Sequence, residues 1–219
     1  MTYSGRFVTI SALFVTCLVT ANIIAVKLTE VDGHSFDAGT VIFPVSYILG
    51  DVLTEVYGFR AARRVIWTAF GCNLLAVIAI WVAIELPAAG FWGDQEAYET
   101  VLGFTPRILL ASFLAFLVGE FVNSAILARM KVATRGRWLW SRTIASTVVG
   151  EALDSAIFIT VAFAGTGTPL VNTITTIWVI KVAYEVAATP ITYLVVNHLK
   201  RVEGVDVYDT DTRLVPIEV

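Results

Sequence analysis

The chain has 219 residues, of which 57% are hydrophobic and 15% charged, with a mean hydropathy of +0.78. Ordinary soluble domains carry about 25% charged residues, so this composition excludes a soluble globular protein and points to an integral membrane protein. The net charge of −3 hides a strong segregation of charge along the chain, and the two cysteines, Cys17 and Cys72, sit in apolar runs where they imply no disulfide framework.

About 20 apolar residues are needed to cover a hydrocarbon core of roughly 30 Å. Segments of that length run from Phe7 to Val26, Ala38 to Tyr57, Val65 to Leu86, Ile108 to Leu127, Thr143 to Ala164 and Thr173 to Leu199, which predicts an all-α protein with six transmembrane helices. The first segment resembles a signal peptide in its basic start, but it is too long and lacks an A-x-A site, so it is read as a helix that stays. In the second, Asp51 and Glu55 interrupt the inner half. The longest connection, Pro87 to Pro106, contains a short amphipathic stretch, Gln95 to Leu102, that suits a helix lying on the surface. After the last span, Glu203 to Val219 is polar and acidic with no apolar period. Residues 1–200 therefore read as one transmembrane domain and 201–219 as a short acidic cytoplasmic tail.

Loops on the cytoplasmic side of a membrane carry the excess of Lys and Arg. Twelve of the fifteen basic residues fall on one side: Arg6, Arg60, Arg63, Arg64, Arg129, Lys131, Arg135, Arg137, Arg142, Lys200, Arg201 and Arg213. Lys27 and Arg107 fall on the other side and Lys181 lies within the last span, so both termini are expected in the cytoplasm. External connections are acidic, with Glu30, Asp32, Asp37, Glu85, Asp94, Glu96 and Glu99. The basic run Ala128 to Arg142, between two spans, reads as an orientation signal and a contact for anionic lipid and not as a nucleic-acid patch. Trp138 and Trp140 beside it suit interfacial anchors. His34 and His198 lie at the membrane edges and are given no role. Neither a nucleotide-binding loop nor metal-finger spacing occurs, so no cofactor, metal or built-in ATPase is expected.

One short pattern recurs inside the spans. Gly50-Asp51-Val52-Leu53-Thr54-Glu55, Gly119-Glu120-Phe121-Val122-Asn123-Ser124 and Gly150-Glu151-Ala152-Leu153-Asp154-Ser155 each read Gly, acid, two apolar residues, two polar ones. A charge at the centre of a membrane helix costs roughly 2.5 to 3.5 kcal/mol on insertion scales, so such residues persist where they face a cavity or a partner. Residues three or four apart share a helix face. Glu120, Asn123 and Ser124 thus form one stripe, Glu151, Asp154 and Ser155 a second, and Lys181, Tyr184 and Glu185 a third. From the expected span ends, Glu120 and Glu151 lie at one depth, about 10 to 12 Å from the cytoplasmic side. Structural readings compete with a binding role. Lys181 and Glu185 at i and i+4 can neutralise each other, Asp51 and Glu55 can join Arg60, Arg63 and Arg64 in a fixed ion-pair network, and the three glycines can serve close helix packing alone. A single lysine cannot neutralise six acids, however, so some are protonated, hydrated or held against a ligand, and pH-dependent binding is expected.

These residues carry a family resemblance. Asp51-Val52-Leu53-Thr54-Glu55-Val56-Tyr57-Gly58 followed by Ala62-Arg63-Arg64, then Gly119-Glu120 with Asn123-Ser124, then Ser146 with Gly150-Glu151, Asp154-Ser155 and Ile157-Phe158, resembles the queuosine precursor transporter family, formerly described as a vitamin uptake family. The resemblance runs from about Asn22 to Pro190. It implies a six-helix, multi-pass transporter of the prokaryotic cytoplasmic (inner) membrane, similar in size and helix number to the substrate-binding components of energy-coupling-factor transporters. It also implies import of 7-deazaguanines such as preQ0, preQ1 or queuine for tRNA modification. Substrate-binding candidates are Asp51, Glu120, Asn123, Glu151, Asp154, Lys181 and Glu185. A guanine-like edge presents adjacent N–H donors that one carboxylate accepts together, while its carbonyl needs a donor such as Lys181 or Asn123. An aromatic wall is expected from Phe116, Phe121, Phe158, Trp178 or Tyr184. An intramembrane aspartyl protease would need Gly-x-Gly-Asp, and Ile48-Leu49-Gly50 precedes Asp51; no Gly-x-Ser-x-Gly elbow occurs either, so an enzyme is not expected. A secondary carrier and a binding module energised by a separate partner both remain open, and small-residue faces at Gly71 or Ala76 can pair two copies.

Overall fold

The computed structural model describes residues 4–25, 27–31, 34–103, 106–165 and 169–216. Val26, Asp32 and the last three residues of the expected tail lie outside the described residues. In chain order the elements are α1 (Gly5–Ile24), β1 (Leu28–Val31), β2 (His34–Asp37), a 3-10 turn (Ala38–Val41), α2 (Phe43–Tyr57), α3 (Phe59–Glu85), α4 (Gln95–Leu102), α5 (Pro106–Ala133), α6 (Leu139–Phe163) and α7 (Leu170–Glu203). Among the described residues the regular structure is helical apart from one antiparallel hairpin, β1 paired with β2 from Leu28↔Asp37 to Val31↔His34.

Local signals account for the helix starts and stops. The Ser4 hydroxyl accepts the Phe7 amide at 3.1 Å and caps α1. Pro44 occupies the first turn of α2, where its missing N–H is harmless. Gly58, at φ 84°, ends α2 and turns the chain straight into α3. The amphipathic stretch Gln95–Leu102 forms α4 as its pattern predicts.

Among the described residues five helices, α1, α3, α5, α6 and α7, are long and apolar enough to cross a membrane. Their outward faces carry large exposed apolar side chains such as Leu75, Trp81, Val171 and Leu194, the surface that lipid covers. The expected span Ala38–Tyr57 is instead the 3-10 turn followed by a 15-residue helix, about 22 Å long at 1.5 Å per residue. Its composition explains the difference. Most of α2 is buried by its neighbours, so its polar residues meet protein and not lipid, and a short segment is tolerated where protein surrounds it. The apolar core gathers Phe14 and Leu18 of α1, Val52, Leu53 and Val56 of α2, and Phe59 and Ile66 of α3.

Helices α5, α6 and α7 run past the hydropathic boundaries, to Ala133, from Leu139 and to Glu203. Lys131, Arg142 and Lys200 are consequently helical. Lys131 and Arg142 are 1% and 0% exposed, so these two members of the basic run face the bundle interior and not anionic lipid. Arg129, Arg135 and Arg137 of the same run are exposed. An Arg6–Glu203 ion pair of 3.1 Å ties the start of α1 to the end of α7, placing both at the basic end of the bundle. The segment after α7 folds back across this end. Val207 N–H bonds the Val56 carbonyl at 3.2 Å, Asp209 accepts the Phe59 amide at 2.9 Å, and the Val215 and Pro216 carbonyls accept from Arg63 and Trp67. Its lack of apolar period conceals these contacts because they are made by backbone groups and one capping carboxylate.

Candidate functional site

The acidic stripes of α2, α5, α6 and α7 converge at one level. Extension of the helices sets that level: Glu120 and Glu151 lie midway along α5 and α6, about 18 Å from their basic ends, and not 10 to 12 Å as the shorter expected spans gave. The glycines of the repeated motif make the convergence possible. A Cβ on Gly119 would lie 3.1 Å from the Gly150 carbonyl oxygen, and one on Gly150 would lie 3.0 Å from the Gly119 carbonyl oxygen and 2.8 Å from Asn123 Cβ. Helices α5 and α6 therefore cross backbone to backbone at this pair. Opposite them, a Cβ on Gly50 would collide with the Glu120 carboxylate, so α2 is bare where that side chain needs room.

All seven residues singled out for binding are buried here. Asp51 and Glu120 are 0% exposed, Asn123 0%, Glu151 1%, Asp154 5%, Lys181 7% and Glu185 2%. Asn123 donates its amide to Asp51 Oδ1 at 2.7 Å. Lys181 Nζ lies 2.6 Å from Asp154 Oδ2 and 2.8 Å from Glu151 Oε2, which replaces the expected i, i+4 pairing with Glu185. Tertiary packing wins because α6 offers two carboxylates at once to the same ammonium. The Lys181 ammonium also rests over the Phe43 ring, 4.3 Å from its centroid. Both oxygens of Glu120, Asp51 Oδ2, Asn123 Oδ1 and Glu185 Oε1 have no hydrogen-bond partner among the described residues.

Glu55 belongs to a second, separate constellation one turn closer to the basic end. Its Oε1 receives Arg142 at 2.6 Å and Lys200 at 2.7 Å, with Lys131 at 3.8 Å. These partners come from α6, α7 and α5, and they replace the expected network with Arg60, Arg63 and Arg64. Lys131 also donates to the carbonyls of Glu55 and Val207, and both lysines reach Asp206, at 2.5 and 2.9 Å. Burial opposes the Asp206 charge, but the hydrogen bonds from Lys131 and Lys200 outweigh it and hold its carboxyl below the usual carboxylate range.

The aromatic candidates have varied surroundings. Phe116 packs on Phe14, and Phe121 packs on Phe59 and Trp67, both within the apolar core. Phe158 stacks edge-on with Phe163, the Trp178 indole donates to the Val148 carbonyl at 2.9 Å, and Tyr184 is 39% exposed, off the stripe that buries Lys181 and Glu185. On the α2 face of the acidic level stand Phe43 and Tyr47, with ring centroids 5.5 Å apart, and the Phe14 ring comes beside the Glu120 carboxylate at Gly50. The i, i+4 spacing of Phe43 and Tyr47 and the next step to Asp51 marked them in the sequence as one face, but an aromatic pair in an apolar run reads equally as core. A cleft of about 420 Å³ between α1 and α7, lined by Arg6, Ile10, Leu194 and His198, opens on the outer surface away from the acids.

Residues 37–195 match the model of a family described as "Putative vitamin uptake transporter". Three curated relatives align with the chain. "Probable queuosine precursor transporter" of Bacillus subtilis is 34% identical over 67% of this chain and 65% of its own length. "Queuosine precursor transporter" of Escherichia coli is 28% identical over 69% and 66%, and "Probable queuosine precursor transporter" of Haemophilus influenzae 25% identical over 67% and 62%. The matched stretch thus spans slightly less than two thirds of each relative. No solved structure matches. The family match takes in Asp51, Glu120, Asn123, Glu151, Asp154, Lys181 and Glu185 together, and the relatives are named as transporters. With most of its length matched, and with motifs and buried acids on the matched helices, the chain belongs to the vitamin uptake transporter family, whose curated relatives are named queuosine precursor transporters.

Proposed function

We propose that this protein imports 7-deazaguanine precursors of queuosine, such as preQ0, preQ1 or queuine, and binds the base between α2, α5, α6 and α7. The observation that carries the reading is the set of buried carboxylate and amide oxygens without partners at the middle of the bundle. Buried polar groups are ordinarily satisfied, and this surplus consists mainly of acceptors. A ligand that answers it must be rich in donors. The N1–H and exocyclic amine of a deazaguanine suit one carboxylate, and the ammonium of preQ1 suits a second. The names of the bacterial relatives point to the same ligand class.

In the proposed topology the basic end and both termini face the cytoplasm of a bacterial inner membrane, and α2 makes a sixth crossing inside the protein. Residues 1–200 are the transport domain. Substrate held midway between opposed helices suits a carrier whose halves rock about the site. The α5–α6 crossing at Gly119 and Gly150 keeps two of the acid-bearing helices together, which leaves α2 and α7 as the elements that move against them. The Glu55 constellation closes the cytoplasmic side, so release requires Glu55 to part from Arg142 and Lys200.

Purified protein alone in liposomes should take up preQ0, preQ1 or queuine, measured with and without a pH gradient. Asp154→Asn should lower affinity by about tenfold to a hundredfold, the range of a charge-assisted hydrogen bond. Absence of uptake and of binding for every deazaguanine would overturn the reading, and uptake only with an added energising partner would convert the protein into a binding module.

A further inference from the structure

The acidic level is short of free donors. Lys181 is engaged by Asp154 and Glu151, and the Asn123 amide by Asp51. Three hydroxyls there have no partner among the described residues: Tyr47, Thr147 and Ser155. The two short ones sit on α6, where a Ser or Thr side chain can turn back to a carbonyl of its own helix, as Thr143 and Ser146 already do. A phenol cannot. Tyr47 is 1% exposed, and its hydroxyl is carried across the bundle from α2 to α5. Gly119 leaves the space it occupies: a Cβ there would lie 2.6 Å from the Tyr47 oxygen and 2.9 Å from Asp154 Cβ. Glu151, Asp154, Glu120 and Asp51 all stand within electrostatic reach of it. A buried tyrosine hydroxyl normally has a partner, and here a glycine of the repeated motif is given over to holding it without one.

We propose that Tyr47 is a specificity-determining residue whose hydroxyl donates to the carbonyl oxygen of the bound base. The inference rests on the substrate class proposed above. On the face of α2, Tyr47 is one turn from Asp51. Asp51 Oδ2 is free to accept an N–H of the base while the phenol answers the neighbouring carbonyl, and the Phe43 ring continues the same face toward Lys181. A site that is mostly acceptors accommodates the donor edge of many heterocycles. The single donor reaching from α2 is what selects one with a carbonyl beside that edge.

The test compares 7-deazaguanine with its 6-thio analogue, which keeps the N–H and amine donors and replaces the carbonyl oxygen with a weaker acceptor. Dissociation constants are measured for wild type, Tyr47→Phe and Thr147→Val in detergent, after melting curves establish that each is folded. Wild type should prefer the oxo base. Tyr47→Phe should bind it about tenfold less tightly, bind the thio base within about threefold of wild type, and so lose the preference, while Thr147→Val keeps it. Equal binding of the two bases by wild type overturns the assignment without any variant. An equal loss for both bases in Tyr47→Phe also overturns it, since that is the mark of a packing role. If wild type binds neither base, the substrate reading itself fails; if it binds 7-deazaguanine and Tyr47→Phe does so as well, only the role of Tyr47 fails.

Discussion

Replacing Glu55 by Gln should be the most damaging single-atom change in this molecule. Arg142 is 0% exposed, and among the described residues the Glu55 carboxylate at 2.6 Å is its one anionic partner; its other bonds there go to the neutral Thr134 hydroxyl and Arg137 carbonyl. The two lysines are better placed to survive, because Asp206 lies 2.5 and 2.9 Å from them and Lys131 also has the Val207 carbonyl at 2.6 Å. The loss therefore falls on Arg142. Removing one partner of a buried ion pair costs about 3 to 5 kcal/mol. At about 2 to 4 °C per kcal/mol for a chain of this size, that is a drop of about 6 to 20 °C in melting temperature. Tryptophan fluorescence during heating in detergent measures it. Glu55→Leu combined with Arg142→Met should recover most of the loss, because the buried charges are then removed together. A Glu55→Gln melt within about 2 °C of wild type would refute the claim that this constellation holds the basic ends of four helices together.

Three further expectations can be measured with the same protein. Gly150→Ala should destabilise by about 1 to 3 kcal/mol, because the new methyl meets Asn123 Cβ and the Gly119 carbonyl, whereas Gly71→Ala, which meets nothing within 4 Å, should be neutral or slightly stabilising in the same melts. The folded carboxyl of Asp206 is held below its unfolded value of about 3.9. Its contribution is therefore complete above about pH 4 and lost as pH falls through the lowered folded value; protease protection of the 204–216 segment should be flat from neutrality to about pH 5 and drop at lower pH, and Asp206→Asn should abolish the step. Cysteines placed at Thr134 and Gln95 should label from opposite sides of the membrane, with Thr134 cytoplasmic, and labelling from one side would overturn the proposed topology.

Much of this arrangement is readable in the residues, and most of what is not has one cause. Helical periodicity puts Glu120 with Asn123 and Glu151 with Asp154, and the structure buries both pairs facing each other. Periodicity says which face a residue shares but not what stands opposite. Lys181 thus pairs across to α6 and not along its own helix, and Glu55 meets Arg142, 87 positions away. Hydropathy also ends a helix where charge begins. That rule placed Lys131, Arg142 and Lys200 outside the spans, although their buried partners keep them helical and inside. Tyr47 and Phe43 carried no polar signal beyond one hydroxyl. The segment after α7 was opaque for a different reason: it docks through main-chain groups, the Asp209 cap and the Asp206 ion pairs, and a carboxylate in an acidic stretch does not show which cation it meets.

The order in which the chain is made gives the Glu55 constellation a further consequence. Glu55 emerges first, followed by Lys131, Arg142, Lys200 and finally Asp206. When α2 reaches the membrane it carries Asp51 and Glu55 on 15 residues, and none of the cations that will neutralise Glu55 has yet been synthesised. Insertion of such a segment alone is unfavourable, and closing a contact over so long a loop is slow compared with forming neighbouring helices. In the proposed topology α2 can pack on its sequence neighbours α1 and α3 at once, but its Glu55 stays without its cations until the C-terminal half of the bundle arrives. Chains interrupted before α6 should leave Glu55 without Arg142 and Lys200 and be degraded, so the second helix to be synthesised is the last to have its charge neutralised.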